Sequence, residues 1–161
     1  MAKRTTTSTL GWVLRGAAAG AAGTTALNAV TYLDMAVRGR GSSSTPEDTV
    51  EALAEKVHVS IPGDQEERQN RVQGLGPLTG LAAGIGVGVL AGLARAVGIQ
   101  WNPLVGTALT TAGVLVASNG PMTALGITDP RTWSATDWIS DVVPHLAYAA
   151  VVRTTLDTFD H

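Results

Sequence analysis

Gly76, Gly80, Gly84, Gly88 and Gly92 recur at every fourth position of the stretch "LGPLTGLAAGIGVGVLAGLARAV", Leu75 to Val97. Residues four apart lie on one slowly drifting stripe of a helix. In water each such glycine costs about 0.5 to 1 kcal/mol relative to alanine, so a soluble helix of this composition would hardly survive. In a bilayer the backbone must satisfy its own hydrogen bonds, so the helix persists and the stripe lets a neighbouring backbone approach closely. A glycine-lined pore or phosphate cradle is the alternative use of such a stripe. A P-loop is excluded, because it would need Lys followed by Ser or Thr.

Three further segments have the same character. Gly11 to about Val37 is long enough for a tilted span; Gly16, Gly20 and Thr24 form a small face that continues to Asn28. That face is expected to meet the glycine stripe of the second span. A signal peptide is the rival reading of this segment, because Lys3 and Arg4 precede small residues, although Arg15 would then interrupt the apolar region. Asn102 followed by Pro103 is an N-cap with proline at the first helical position, opening a third span from 103 to 127. "SNGP", Ser118 to Pro121, either ends or kinks it. Ser134 and Asp137 form a capping-box-like pair that opens the last helix, spanning 134 to 157. It has the weakest hydropathy, and a soluble or interfacial helix is its alternative. Alternating spans put Trp12 and Trp101 at one membrane face, and Trp133, Trp138 and Tyr32 at the other, as interfacial aromatics require.

The expected fold is therefore all-α: a four-helix transmembrane bundle in a single integral membrane domain, 1–161, with spans at 11–37, 75–97, 103–127 and 134–157. Its packing residues are Gly16, Gly20, Gly76, Gly80, Gly84, Gly88 and Gly92. Composition points the same way, with 45% hydrophobic and only 15% charged residues, against about 25% charged in soluble domains. No cysteine is present, which excludes disulfides, thiolate metal sites and cysteine catalysis. A net charge of -2 without a basic patch gives nucleic acid no place as a partner.

The water-facing loop, 38–74, begins with the linker "RGRGSSS" and continues with "TPEDTVEALAEKV", a short amphipathic helix with Thr45 as N-cap and Pro46 at its first position. Val50, Leu53, Ala54 and Val57 form its apolar face. It caps the bundle or docks another protein. "QEERQNRVQ" reads as a helical lead-in to the second span. Even span number puts both termini on one side with Lys3, Arg4, Arg15, Arg95 and Arg153. The other side holds Arg38, Arg40, Lys56, Arg68, Arg71 and Arg131. The positive-inside comparison nearly cancels, and cytoplasmic termini follow from the weight usually carried by the first helix.

Inside the last helix Asp137, Asp141, His145 and Tyr148 follow i, i+4, i+8 and i+11 on one face. Asn28, Ser118 and Asn119 lie at comparable depth, so the expected polar cluster is Asn28, Asn119, Asp141, His145 and Tyr148. Pro144 also frees a carbonyl near Ser140. An Asp at a helix centre in a membrane costs about 2.5 to 3.5 kcal/mol unless it is neutralised, paired or hydrated. Two roles fit this cluster: a clasp that sets helix register, and a site for protons or a small solute. One His with two Asp lacks the ligand set of a metal centre, and no nucleophile-elbow pattern accompanies the hydroxyls. No catalysis, cofactor or metal is expected.

The segment "SDVVPHLAY" with Arg153 beyond resembles the end of the YagU-like bacterial inner-membrane proteins, a family of unknown function. In those an acid is followed by His, Leu and an aromatic residue, then by basic residues. The resemblance implies a multi-pass inner-membrane location and no reaction. The expected function is thus an accessory or structural component of a membrane assembly; a proton or small-solute conduit is the alternative. The lipid bilayer, a membrane-protein partner or a second copy of the chain are the expected partners.

Overall fold

The computed structural model describes residues 8–159; Lys3 and Arg4 lie outside them. The described chain is all-helical: α1 (Thr9–Arg38), α2 (Thr45–Lys56), α3 (Gln65–Ala96), α4 (Pro103–Ala124), a short 3-10 turn (Pro130–Thr132) and α5 (Ala135–Thr158). Local chemistry starts the long helices where it should. Ser8 Oγ accepts from the Gly11 amide at 3.1 Å, Asp64 Oδ1 from Glu67 at 2.9 Å, and Asn102 Oδ1 from Val105 at 3.0 Å, each satisfying a donor with no intrahelical partner. Both arms of the Ser134/Asp137 capping box form. The start of α2 differs from the sequence expectation. Ser44 rather than Thr45 flanks it, and the Ser44 hydroxyl donates to the Asp48 side chain at 2.9 Å and caps no amide.

α1 stops at Gly39, whose φ of 62° lies in the left-handed region open to glycine without strain. α4 passes through Pro121 and ends at Ala124, so "SNGP" does not terminate it. The lead-in 65–74 is continuous with the second expected span, giving an α3 of about 48 Å at 1.5 Å per residue, well over the hydrocarbon thickness of about 30 Å. Before α5, Asp129 caps the 3-10 turn and pairs with Arg131 at 2.8 Å. Hydrogen bonds from the Arg131 guanidinium and amide hold its carboxyl below the ordinary carboxylate range.

Neighbouring long helices alternate in direction. α1 lies between α3 and α5, antiparallel to both, and α4 closes against α5 and α3. α2 rests on the extension of α3, where Glu51 meets Arg68 at 2.6 Å and Pro46 covers Gly76. The enclosed centre consists of Ala19, Val114, Tyr148, Ala149, Val152 and Leu156.

α1 and α3 touch backbone to backbone. A Cβ on Gly20 would lie 2.6 Å from the Gly84 carbonyl oxygen and 2.8 Å from Ile85 Cα. One on Gly88 would lie 2.6 Å from Gly20 Cα, and those on Gly16 and Gly92 would meet Val89 Cα and Gly16 Cα at 3.0 Å. The seam does not run the full stripe. Gly76 faces α2, and Gly80, expected among the packing residues, has nothing within 4 Å of its missing Cβ. The cause is helical drift: a four-residue step advances by about 40° beyond a full turn, so a stripe centred on Gly84 to Gly92 has left α1 by Gly80.

Among the described residues only α3 is long and apolar enough to cross a membrane by length and composition. α1 and α5 are diluted by Thr and charged residues, and α4 by Thr, Asn and Pro.

Gly20→Leu or Gly88→Leu is expected to force α1 and α3 apart and cost about 2 to 3 kcal/mol through overpacking. Gly86→Ala, where the missing Cβ meets open space, should move stability by less than about 1 kcal/mol. Reversible unfolding of the purified protein measures both.

Candidate functional site

The capping box consumes Asp137: its Oδ2 accepts from the Ser134 amide at 2.9 Å and hydroxyl at 2.7 Å. The next acid on that face, Asp141, lies about 10 Å along α5 at 1.5 Å per residue and is bonded across to α4. Asn119 Nδ2 donates to its Oδ2 at 2.8 Å, a charge-assisted bond when the carboxylate is ionised. Immediately before it, the Ser140 hydroxyl accepts from Arg38 Nη2 at 2.7 Å. That arginine also pairs with Asp34 at 2.8 Å, which Arg40 holds from its other side at 2.7 Å. α1, α4 and α5 are therefore stitched together at this end of the bundle.

His145 sits one turn deeper and is buried. Its Nδ1 is 2.6 Å from the Asp141 carbonyl oxygen. Since a carbonyl only accepts, Nδ1 carries a proton. Nδ1 is also 3.5 Å from Asp141 Oδ1. On the other side Nε2 is 3.1 Å from Ser118 Oγ of α4, and that hydroxyl lies 3.2 Å from the Leu115 carbonyl. Elsewhere, the hydroxyls of Thr24, Thr107, Thr111 and Thr154 donate to carbonyls one turn back, which lets threonine sit in apolar surroundings and leaves these oxygens no adjacent base.

Two expected members stand apart from the cluster. Asn28 is exposed on α1. The buried face of that helix is Gly16, Ala19, Gly20, Gly23 and Thr24, and the same drift carries Asn28 off it. Tyr148 is fully buried, but it turns toward α1 and α3. Its hydroxyl donates to the Gly84 carbonyl at 2.5 Å, and its ring fills the space left by Gly23, whose missing Cβ would lie 2.7 Å from Cδ2. Three residues after His145, Tyr148 is rotated by about 60° from it, enough to face a different pair of helices.

A second polar group at the opposite end was not anticipated as a group. Arg95 Nη2 of α3 meets Asp157 Oδ1 of α5 at 2.5 Å, while Arg153 Nε lies 3.4 Å from Oδ2. Arg153 also reaches the Trp101 and Asn102 carbonyls at 3.4 Å. A cleft of about 30 Å³ opens beside Arg95, Arg153 and Trp101. Arg15 stands 5.1 Å from the ring centres of both Trp12 and Phe159. The sequence signal was the i, i+4 spacing of Arg153 and Asp157.

Among the described residues no three His, Asp or Glu side chains converge as metal ligands. Protein-family models, curated proteins and solved structures offer no match to this chain. Chemically, the cluster can hold α4 against α5 and share a proton between an imidazole and its neighbours.

Asn119→Leu is expected to lower stability by about 1 to 3 kcal/mol, because Asp141 keeps its burial and loses its donor. Tyr148→Phe should cost about 1 kcal/mol, the net worth of one hydrogen bond. Exposed Asn28→Ala should stay within about 0.5 kcal/mol of the parent. Unfolding midpoints of the three variants under identical conditions rank them.

Proposed function

We propose that this chain is a small multi-pass membrane protein whose α1, α3, α4 and α5 cross the bilayer as a bundle, acting without catalysis as an accessory or structural component of a membrane assembly. The observation that carries this reading is where the large apolar side chains lie. Leu104 is 81% exposed, Val37 77%, Val116 70% and Leu90 66%, and Leu14, Ile139 and Leu146 also point outward. The positions closed off inside are mostly glycine, alanine and threonine. Such a distribution in water would leave large apolar surface wet, which marks an interaction surface with protein or membrane. In lipid the exposed side chains are solvated, and small residues bring helices together by close backbone contact.

The extent of the apolar surface favours all four long helices as spans, although α3 alone is sufficiently apolar by composition. The YagU-like character of "SDVVPHLAY" agrees with an inner-membrane location, with both termini placed on the cytoplasmic side. The polar cluster suits a clasp better than a solute conduit, because Asn119, Asp141, Ser118 and His145 are bonded to one another. α2 and the extension of α3 form the face available to a partner in water.

The absence of cysteine makes the test direct. The protein is expected to remain in the membrane pellet through carbonate washing. In intact cells a single Cys at Ser43 should react with a membrane-impermeant maleimide, and one at Gly98 should react only after lysis. Release into the carbonate supernatant overturns the membrane reading, and the reverse labelling pattern overturns the orientation.

A further inference from the structure

We infer that Ser118, His145 and Asp141 form a reversible proton-binding site, in which the α4–α5 clasp keeps its hydrogen bonds in both protonation states. This inference rests on the membrane-bundle reading.

The argument follows from donors and acceptors around one ring. His145 Nδ1 donates to the Asp141 carbonyl at 2.6 Å, so in the neutral imidazole Nε2 is the acceptor, and Ser118 must donate to it across 3.1 Å. When a proton from water binds Nε2, that nitrogen becomes a donor. The Ser118 oxygen can accept it only if its single hydrogen turns away. A destination is in place: the Leu115 carbonyl lies 3.2 Å from the same oxygen. Protonation therefore requires one hydroxyl rotation and no movement of either helix. A buried histidine without such an arrangement would leave a donor unmet on gaining a proton.

The added charge also has a counterpart. Asp141 Oδ1 is 3.5 Å from Nδ1, while Oδ2 is held by Asn119 at 2.8 Å, so the carboxylate is fixed on the side of the ring away from Ser118. Charged groups on the packed elements are few. Asp137 on α5 is engaged in the helix cap. From α1, Arg38 reaches Ser140 and, with Arg40, pairs with Asp34. From 76 to 94 α3 contains no ionisable residue, and α4 contains none at all. Among the described residues Asp141 is thus the only anion in contact with the ring. A clasp needing only a fixed hydrogen bond would be served by an amide; the imidazole adds a second nitrogen able to take up a proton while the first keeps its bond.

The test is a ring-nitrogen NMR titration of ¹⁵N-histidine-labelled protein in lipid nanodiscs between about pH 8.5 and 4.5, a range centred near the ordinary histidine value. Only three histidines are present, and His145→Gln assigns the signal. The expected result is a neutral Nδ1–H ring at high pH and a doubly protonated ring at low pH, with full reversal. Ser118→Ala should reduce proton uptake at the wild-type midpoint at least tenfold, and Ser118→Thr should restore it. A ring that holds one protonation state throughout, or uptake unchanged in Ser118→Ala, overturns the inference while leaving an inserted bundle intact. Failure of the protein to enter nanodiscs overturns the membrane reading beneath it.

Discussion

The direct contact between the backbones of α1 and α3 sets the rest of the architecture. Gly16 and Gly20 bring one helix backbone against Gly84, Gly88 and Gly92 of the other. α5 then lies alongside α1 and still reaches α3. The Tyr148 hydroxyl spans that distance to the Gly84 carbonyl, and Thr24 fills the position beside Gly84 where any side chain would collide. Neither contact has room to form if the seam widens. A chain with a single Phe and few large enclosed side chains can in this way produce an ordered centre, through proximity rather than bulk.

α4 is joined by different means. Gly113 faces open space, and the helix is tied to α5 by polar bonds near both ends: Asn119 and Ser118 at one, the Trp101 and Asn102 carbonyls at the other. One pair of helices is therefore held by close approach, which has no dependence on charge, and another by groups whose strength depends on protonation and hydration. That division separates the part of the bundle that is fixed from the part that conditions can adjust.

The helices and most of their starts were legible in the sequence, because caps are local chemistry: Asn102 before Pro103, and Ser134 with Asp137, lie within four residues of what they satisfy. The meeting of Gly16 and Gly20 with the later glycines was legible too, since only small residues permit such an approach. Periodicity alone could not say which stretch of a stripe faces which neighbour. Gly80 and Asn28 belong to correctly placed helices but have rotated out of contact, and Tyr148 shares a broad face with His145 while serving other partners. The pairing of Arg95 with Asp157 depends on the relative height of two helices far apart in sequence, and one-dimensional spacing holds no record of that height. Of the four expected spans one helix qualifies by length and composition, because the threonines of the others count as polar in a scale although they bond their own backbone.

The antiparallel seam has a consequence in time. Gly20 and Gly84 are far apart along the chain, and at about 5 to 20 residues per second the intervening segment takes roughly 3 to 13 s to synthesise. For that interval the first helix is complete while the surface made to receive it does not yet exist. Its face of Gly16, Ala19, Gly20 and Gly23 is then open to any other helix with small residues at the right spacing, including the same segment of a neighbouring nascent copy. How closely those copies are spaced on one message thus bears on which pairing forms first.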